Sequence, residues 1–204
     1  LLVVAALALA NATTFSEAER EFIEFMVKHK RSYGTKEEYN FRLDIFKQKY
    51  EYITKHNAEN TSFKLGVNHF SDMTDAEFSK RLGYVGATNK VRNEATFTTT
   101  VGSDDFKDWV KEGAVSDVKD QGQCGSCWSF SATGALEGEH FLHKNKMEVF
   151  SEQQLLDCDS SLFTNHGCNG GLMDNAFDYA KSNLMTRESE YPYEEDDSGA
   201  CRAS

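Results

Sequence analysis

The sequence predicts a mainly helical chain in two modules, and three observations carry that prediction. Ser16, Thr35 and Thr74 each stand three positions before a glutamate, the pattern of a helix-capping box. Behind the first two lie apolar residues spaced by three and four, as on one face of a helix. A run rich in Ser, Ala and Gly follows Cys127, which suits a helix whose neighbours approach closely. Gly83 to Gly102 lacks any period and reads as a linker between the modules. With 33 acidic against 22 basic residues the formal net charge is −11, which argues against a nucleic-acid partner and fits an acidic compartment.

Leu1 to Ala10 is an unbroken apolar run, about half the length a bilayer-spanning helix needs. The small-x-small pattern of Ala8-Leu9-Ala10 and Ala10-Asn11-Ala12 reads as the cleavage region of a secretory leader, and with no Met or basic residue before the run the chain is expected to begin inside that leader. A secreted chain makes disulfides expected, and Asn60-Thr61-Ser62 reads as a glycosylation sequon. The first helix opens at the Ser16 box, carries Phe22, Ile23, Met26 and Val27, and is expected to stop at Gly34. The second opens at the Thr35 box, with Tyr39, Leu43, Phe46, Tyr50 and Ile53 on one face. Along it run Glu38, Arg42, Phe46, Ile53 and Asn57, a series that resembles the ERFNIN signature of cathepsin L-like propeptides, with Lys49 where that family usually has Asn. Alternation of Leu65, Val67 and His69 predicts a short strand. Gly66-Val67-Asn68-His69-Phe70-Ser71-Asp72 resembles the second propeptide signature, and a short helix from Met73 to Phe78 follows.

Gln121-Gly122-Gln123-Cys124-Gly125-Ser126-Cys127-Trp128 carries the chemistry of the second module. A cysteine at a helix N-terminus meets unpaired N–H groups whose partial positive charge favours the thiolate. Those N–H groups, with the Gln121 amide, could hold the oxyanion formed when sulfur attacks a carbonyl, so the stretch reads as an acyl-transfer site. Two bland readings stand beside it. Cys124-x-x-Cys127 could be a redox pair, and Cys124, Cys127, Cys158 and Cys168 could hold a structural zinc. Five cysteines is an odd count, so four could pair and leave one thiol free.

Cys-Gly-Ser-Cys-Trp resembles the nucleophile signature of papain-like cysteine proteases. Ser151-Glu152-Gln153, Gly167-Cys168-Asn169-Gly170-Gly171 and Tyr191-Pro192-Tyr193 resemble that family's following blocks. The resemblance implies an α+β papain-like fold, here its mainly helical N-terminal lobe, preceded by a small helical propeptide domain. It divides the chain into 1–12 (partial signal), 13–102 (inhibitory propeptide) and 103–204 (peptidase domain, incomplete). It assigns Cys127 as nucleophile and Gln121 as oxyanion donor, and pairs Cys124 with Cys168 and Cys158 with Cys201. Gly125, Gly170 and Gly171 would let a substrate backbone lie close, and Leu172 and Met173 would give an apolar surface for a bulky apolar residue. No metal or cofactor is implied.

The implied partners are protein or peptide substrates, the chain's own propeptide as intramolecular inhibitor, and cystatin-type inhibitors, for a monomer in the secretory pathway, lysosomal or secreted. Activation is expected to be acid-triggered, through carboxylates such as Asp72. The base of such a mechanism is a histidine roughly 130–150 positions after the nucleophile. The chain ends 77 positions after Cys127, so that histidine and its asparagine are expected beyond Ser204, and the 204 residues alone are expected to be inactive. The rival reading is a binding protein, either a propeptide-like inhibitor or a dead homologue. Retention of both Cys127 and Gln121 argues against it.

Overall fold

The structure is a computed structural model that describes residues 15–59, 62–86, 106–159 and 165–203. The leader, Asn60 of the sequon, most of the linker and Ser103 lie outside the described residues. The chain forms two compact units, one up to Phe78 and one from Ser79 onward.

In the first unit α1 spans Glu17–Lys28, and its Ser16 box is complete, with Glu19 closing it onto the Ser16 N–H. The expected stop at Gly34 is not where the helix ends. It ends at Lys28 because Lys30 takes a left-handed φ of 53° and Arg31 N–H returns to the Met26 carbonyl, a C-terminal turn made by a lysine. Gly34 instead donates to the Glu38 carboxylate, so Thr35 caps α2 (Lys36–Ala58) on one side only. The Phe22 ring of α1 meets Phe25, Tyr33, Tyr39 and Phe46 at centroid distances of 5.2 to 6.0 Å. Leu43 and Phe46 of α2 close that core.

The predicted strand at Leu65–His69 does not form. Its side chains alternate in burial, but no second strand lies beside it among the described residues, and the Asn57 side chain satisfies both the N–H and C=O of Leu65 instead. Cations from α2 then fasten the following loop. Lys49 donates to the Phe70 and Met73 carbonyls, and Arg42 donates to the Asp72 carbonyl and, bidentately, to Glu77 at 2.6 and 2.7 Å. Glu77 also completes the Thr74 box that opens α3 (Asp75–Ser79). Glu38 and Arg42, four positions apart on α2, are only 4.0 Å neighbours, because Glu77 offers Arg42 the better fork.

The second unit is built on α4 (Cys127–Lys144), α5 (Glu152–Cys158), a single 3₁₀ turn (Gly167–Asn169) and α6 (Met173–Ser182). Its core joins Trp128 and Ala132 of α4, Leu155 and Leu156 of α5, Ala176 of α6 and Cys124. Isolated β-bridges join Tyr84 to Gly171 and Phe150 to Arg187.

The small residues of helix α4, expected to let neighbours approach closely, do not all meet one. The core touches one side only; Gly134, Ala135 and Gly138 line an open cavity of 330 Å³ with Trp109, Ala114, Val115 and Leu142. On the buried side Lys119 Nζ lies 2.8 Å from Glu137 and 2.6 Å from Glu152, each carboxylate 1% exposed. The Ser116 hydroxyl donates to the other Glu137 oxygen, and the Phe150 N–H and Thr133 hydroxyl donate to the same Glu137 and Glu152 oxygens that Lys119 meets. An unpaired buried carboxylate would cost several kcal/mol, so this network fixes the register of α5 against α4. Gln153 and Gln154 of α5 are buried and bonded to backbone groups of residues 184–196, and through them the return segment is held.

Candidate active site

Cys127 is the first residue of α4, and it is the free cysteine. The other four are bonded as Cys124–Cys168 and Cys158–Cys201, each pair with Cα atoms 4.7 Å apart. That removes the redox-pair reading, since Cys124 is bonded to Cys168 and not to Cys127. It removes the zinc reading too, since three of the four proposed ligands are locked in disulfides.

Local sequence explains the placement. Gly122 takes a φ of 62°, a conformation open to glycine, and turns the chain so that Gln121 faces back toward the helix start. Its Nε2 donates to the Cys124 carbonyl and to the Arg81 carbonyl, both at 2.8 Å. Gly125 N–H donates to the Cys168 carbonyl, and a Cβ on Gly125 would lie 2.4 Å from that oxygen, so the turn that carries Cys168 can lie against the loop only because residue 125 has no side chain. Glu195 receives the Gln123 N–H and steadies the outside of the turn.

What faces the sulfur was hidden in the linker. Ser79 to Val85 belongs to the same compact unit as Cys127. Gly83 N–H donates to Cys127 Sγ at 3.2 Å, and the Gly83 carbonyl accepts from Gly171 N–H at 2.8 Å. Val85 N–H donates to the Gly171 carbonyl at 3.2 Å, which makes a parallel bridge centred on Tyr84. Arg81, 6% exposed, sends its guanidinium to the Gly122 carbonyl. The group that meets the sulfur is thus an N–H donor rather than a carbonyl carbon.

The remaining predicted residues divide. A Cβ on Gly170 would lie 2.8 Å from the Gly83 carbonyl, so its bareness serves the docked segment. One on Gly171 would strike Asn165 and Trp128 at 2.5 and 2.8 Å, so there the missing side chain serves packing while the backbone does the pairing. Leu172 is the N-cap of α6 and Met173 packs on the core around Trp128. His166 is exposed at the head of the 3₁₀ turn, and His140 and His143 lie 13 and 16 residues along α4, roughly 20 Å from its start. None of the three hydrogen-bonds to the sulfur.

Residues 104–204 match the papain family cysteine protease, and residues 22–78 match the cathepsin propeptide inhibitor domain. This chain belongs to the papain family. Among papain-family relatives it is 43% identical over 195 residues to the probable cysteine protease RD19B of Arabidopsis thaliana, covering 91% of this chain and 54% of that protein. With the cathepsin L of Sarcophaga peregrina it shares 41% over 196 residues, 86% of this chain and 56% of that one. Among solved structures it resembles procathepsin L 3 of Tenebrio molitor larval midgut, with a TM-score of 0.74 at 37% identity, over 93% of this chain and 62% of that one. For procathepsin L2 of the same source the TM-score is 0.78 at 34% identity, over 92% and 63%. The chain therefore spans between half and two thirds of the length of these papain-family relatives. The fold class is that of the papain-like proteins, met here mostly in its helical part.

Proposed function

We propose that this chain carries the inhibitory propeptide and the nucleophile lobe of a cysteine endopeptidase zymogen. The observation that carries the reading is the placement of Cys127 at the head of α4 with Gln121 Nε2 turned toward the same backbone segment that faces its sulfur. In that mechanism the sulfur attacks a peptide carbonyl, and Gln121 Nε2 and the Cys127 N–H hold the oxyanion. A histidine then protonates the leaving amine. Gly125, Gly170 and Gly171 accept an extended peptide along the bridge now made with Tyr84, and Leu172 and Met173 border an apolar pocket. The propeptide comprises residues 13–102 and the peptidase part starts near 103. The protein travels the secretory pathway to an acidic or extracellular site, its substrates are proteins and peptides, and cystatin-type inhibitors are fitting partners.

The docked segment inhibits in this reading because it offers the sulfur a donor and occupies the Gln121 amide with the Arg81 carbonyl. Since no histidine of the nucleophile's unit reaches the sulfur, the 204 residues alone are expected to be silent in a fluorogenic peptide assay, while the acid-processed full-length protein cleaves. Turnover by the 204 residues that is blocked by an epoxide inhibitor of thiol proteases would refute the assignment of the base.

Acid release is placed on Glu77. Its hydrogen bonds from Arg42 come first, and those from Thr74 add to them; against burial, they hold its carboxyl down to about 2 from an ordinary 4.5. A carboxylate so lowered stabilises the fold above pH 4.5, and that contribution fades as pH falls toward 2. Asp159 has the opposite sign: burial raises it to about 6, so its contribution is largest below its ordinary 3.8 and is lost as pH rises. Acid thus loosens the propeptide unit while it favours the other. Glu77→Gln is expected to destabilise the propeptide unit at pH 6 by about 1 kcal/mol, a figure discounted because the carboxylate is 38% exposed. It should also flatten the fall in melting temperature between pH 4.5 and 3. An unchanged slope would remove Glu77 from the mechanism.

A further inference from the structure

Ser126 is the N-cap of α4 and is fully buried, yet its hydroxyl makes no capping bond to the helix. A serine in that position ordinarily caps the helix through its hydroxyl. Here the hydroxyl is 2.7 Å from the Tyr193 hydroxyl, which itself donates to the Gln121 carbonyl at 2.7 Å. A phenol has one proton, and it is committed to Gln121, so Ser126 must be the donor to Tyr193. The result is a directed chain from Ser126 Oγ–H through Tyr193 Oη–H to the Gln121 C=O. It ties the residue before the nucleophile to the residue whose amide serves as oxyanion donor, across 67 and 72 positions of sequence respectively.

Tyr193 is itself held from several sides. Its N–H donates to Glu188 at 2.8 Å, and its ring stands edge-on to Phe130, with centroids 4.9 Å apart. Glu194 N–H is taken by the buried Gln153. Burial pushes the phenol up to about 12, so it remains a donor across the pH range in which a thiol protease works. Diverting the Ser126 hydroxyl also leaves the front of α4 uncapped by any side chain. Among the described residues the N–H groups of Cys127 and Trp128 take part in no hydrogen bond, so they stay available to an anion.

We infer that Tyr193 is a positioning residue for the oxyanion hole, setting the Gln121 amide relative to the Cys127 N–H through the Ser126–Tyr193–Gln121 chain. The inference rests on the peptidase reading above. Tyr193 does not touch substrate; it acts through where it holds the Gln121 backbone.

The test is Tyr193→Phe in the full-length, processed enzyme, which keeps the ring and removes the donor. A small tilt of the oxyanion donor should lower kcat for a peptide amide about tenfold with KM nearly unchanged. Affinity for a peptide aldehyde, whose adduct carries the oxyanion, should fall in parallel. Alkylation of Cys127 by iodoacetamide forms no oxyanion, so its rate and pH profile should stay within about twofold of the parent. Because Tyr193 acts through Gln121, adding Tyr193→Phe to Gln121→Ala should cost nothing further. Ser126→Ala, which leaves the phenol in place, should give a smaller loss in the same direction. Unchanged turnover, equal loss of turnover and alkylation, or an additive double variant would each overturn the inference. Failure of iodoacetamide to label Cys127 in the parent enzyme would instead overturn the peptidase reading, and the positioning role with it.

Discussion

Replacing Cys127 by alanine is expected to abolish peptide hydrolysis by the processed full-length enzyme, with turnover falling by at least about 10⁴-fold. Nothing else near the front of α4 can replace the sulfur. Ser126 is buried and its hydroxyl is spent on Tyr193, and Ser129 Oγ donates to the Ser126 carbonyl. The four remaining cysteines are bonded in pairs. The substitution should leave stability almost untouched, because the half-buried thiol accepts one hydrogen bond and takes no part in the Trp128 core. Two measurements check this together. Iodoacetamide should label Cys127 in native processed enzyme, the Cys127→Ala variant should lose that one label, and the melting temperatures should agree within a few degrees. Residual activity above about one per cent, or a label on Cys124, Cys158, Cys168 or Cys201, would contradict the assignment.

What could be read from the sequence was whatever local chemistry decides. Ser16 with Glu19 and Thr74 with Glu77 are boxes closed within four residues, so their helices follow from spacing alone. The apolar steps from Tyr39 to Tyr50 report the face of α2 because a helix core is a periodic object. Features made by distant partners were not legible in this way. The C-terminal turn of α1 is carried by Lys30 in a glycine's conformation, and the strand expected at Leu65–His69 is missing because a strand needs a neighbour that no local pattern can promise.

The candidate site divides along the same line. Cys127 and Gln121 stand out because thiolate chemistry leaves a compact motif. Tyr193 and Ser126 do not, since a tyrosine acting through a backbone carbonyl 72 positions away leaves only the composition of an ordinary core. Gly83 was hidden for another reason. It lies in a stretch without period, and its glycine character becomes meaningful only beside Gly125.

That pair carries the second large effect. Gly83→Ala should free the nucleophile in the intact precursor, raising the rate of Cys127 alkylation at neutral pH by about 10²–10³-fold, close to that of processed enzyme. The cause is steric. A Cβ on residue 83 would sit 1.7 Å from the Gly125 carbonyl oxygen and 2.5 Å from its carbon. These are backbone atoms, and they cannot yield, because Gly125 N–H is bonded to the Cys168 carbonyl and Cys168 is bonded through sulfur to the neighbouring Cys124. The segment around Gly83 must therefore lift. With it go the Gly83 N–H bond to sulfur, the exchange between Gly83, Val85 and Gly171, and the Gln121 bond to Arg81. At about 1 kcal/mol net for each hydrogen bond, the loss amounts to about 3–4 kcal/mol, which sets the expected factor. Gly86→Ala is the control, since a Cβ there meets nothing within 4 Å, and it should alkylate at the parent rate. The two variants remove similar backbone freedom from the same segment, so a difference between them isolates the clash with Gly125. Equal, slow alkylation in both would show that the segment reaches the sulfur by some other path than the one through Gly83.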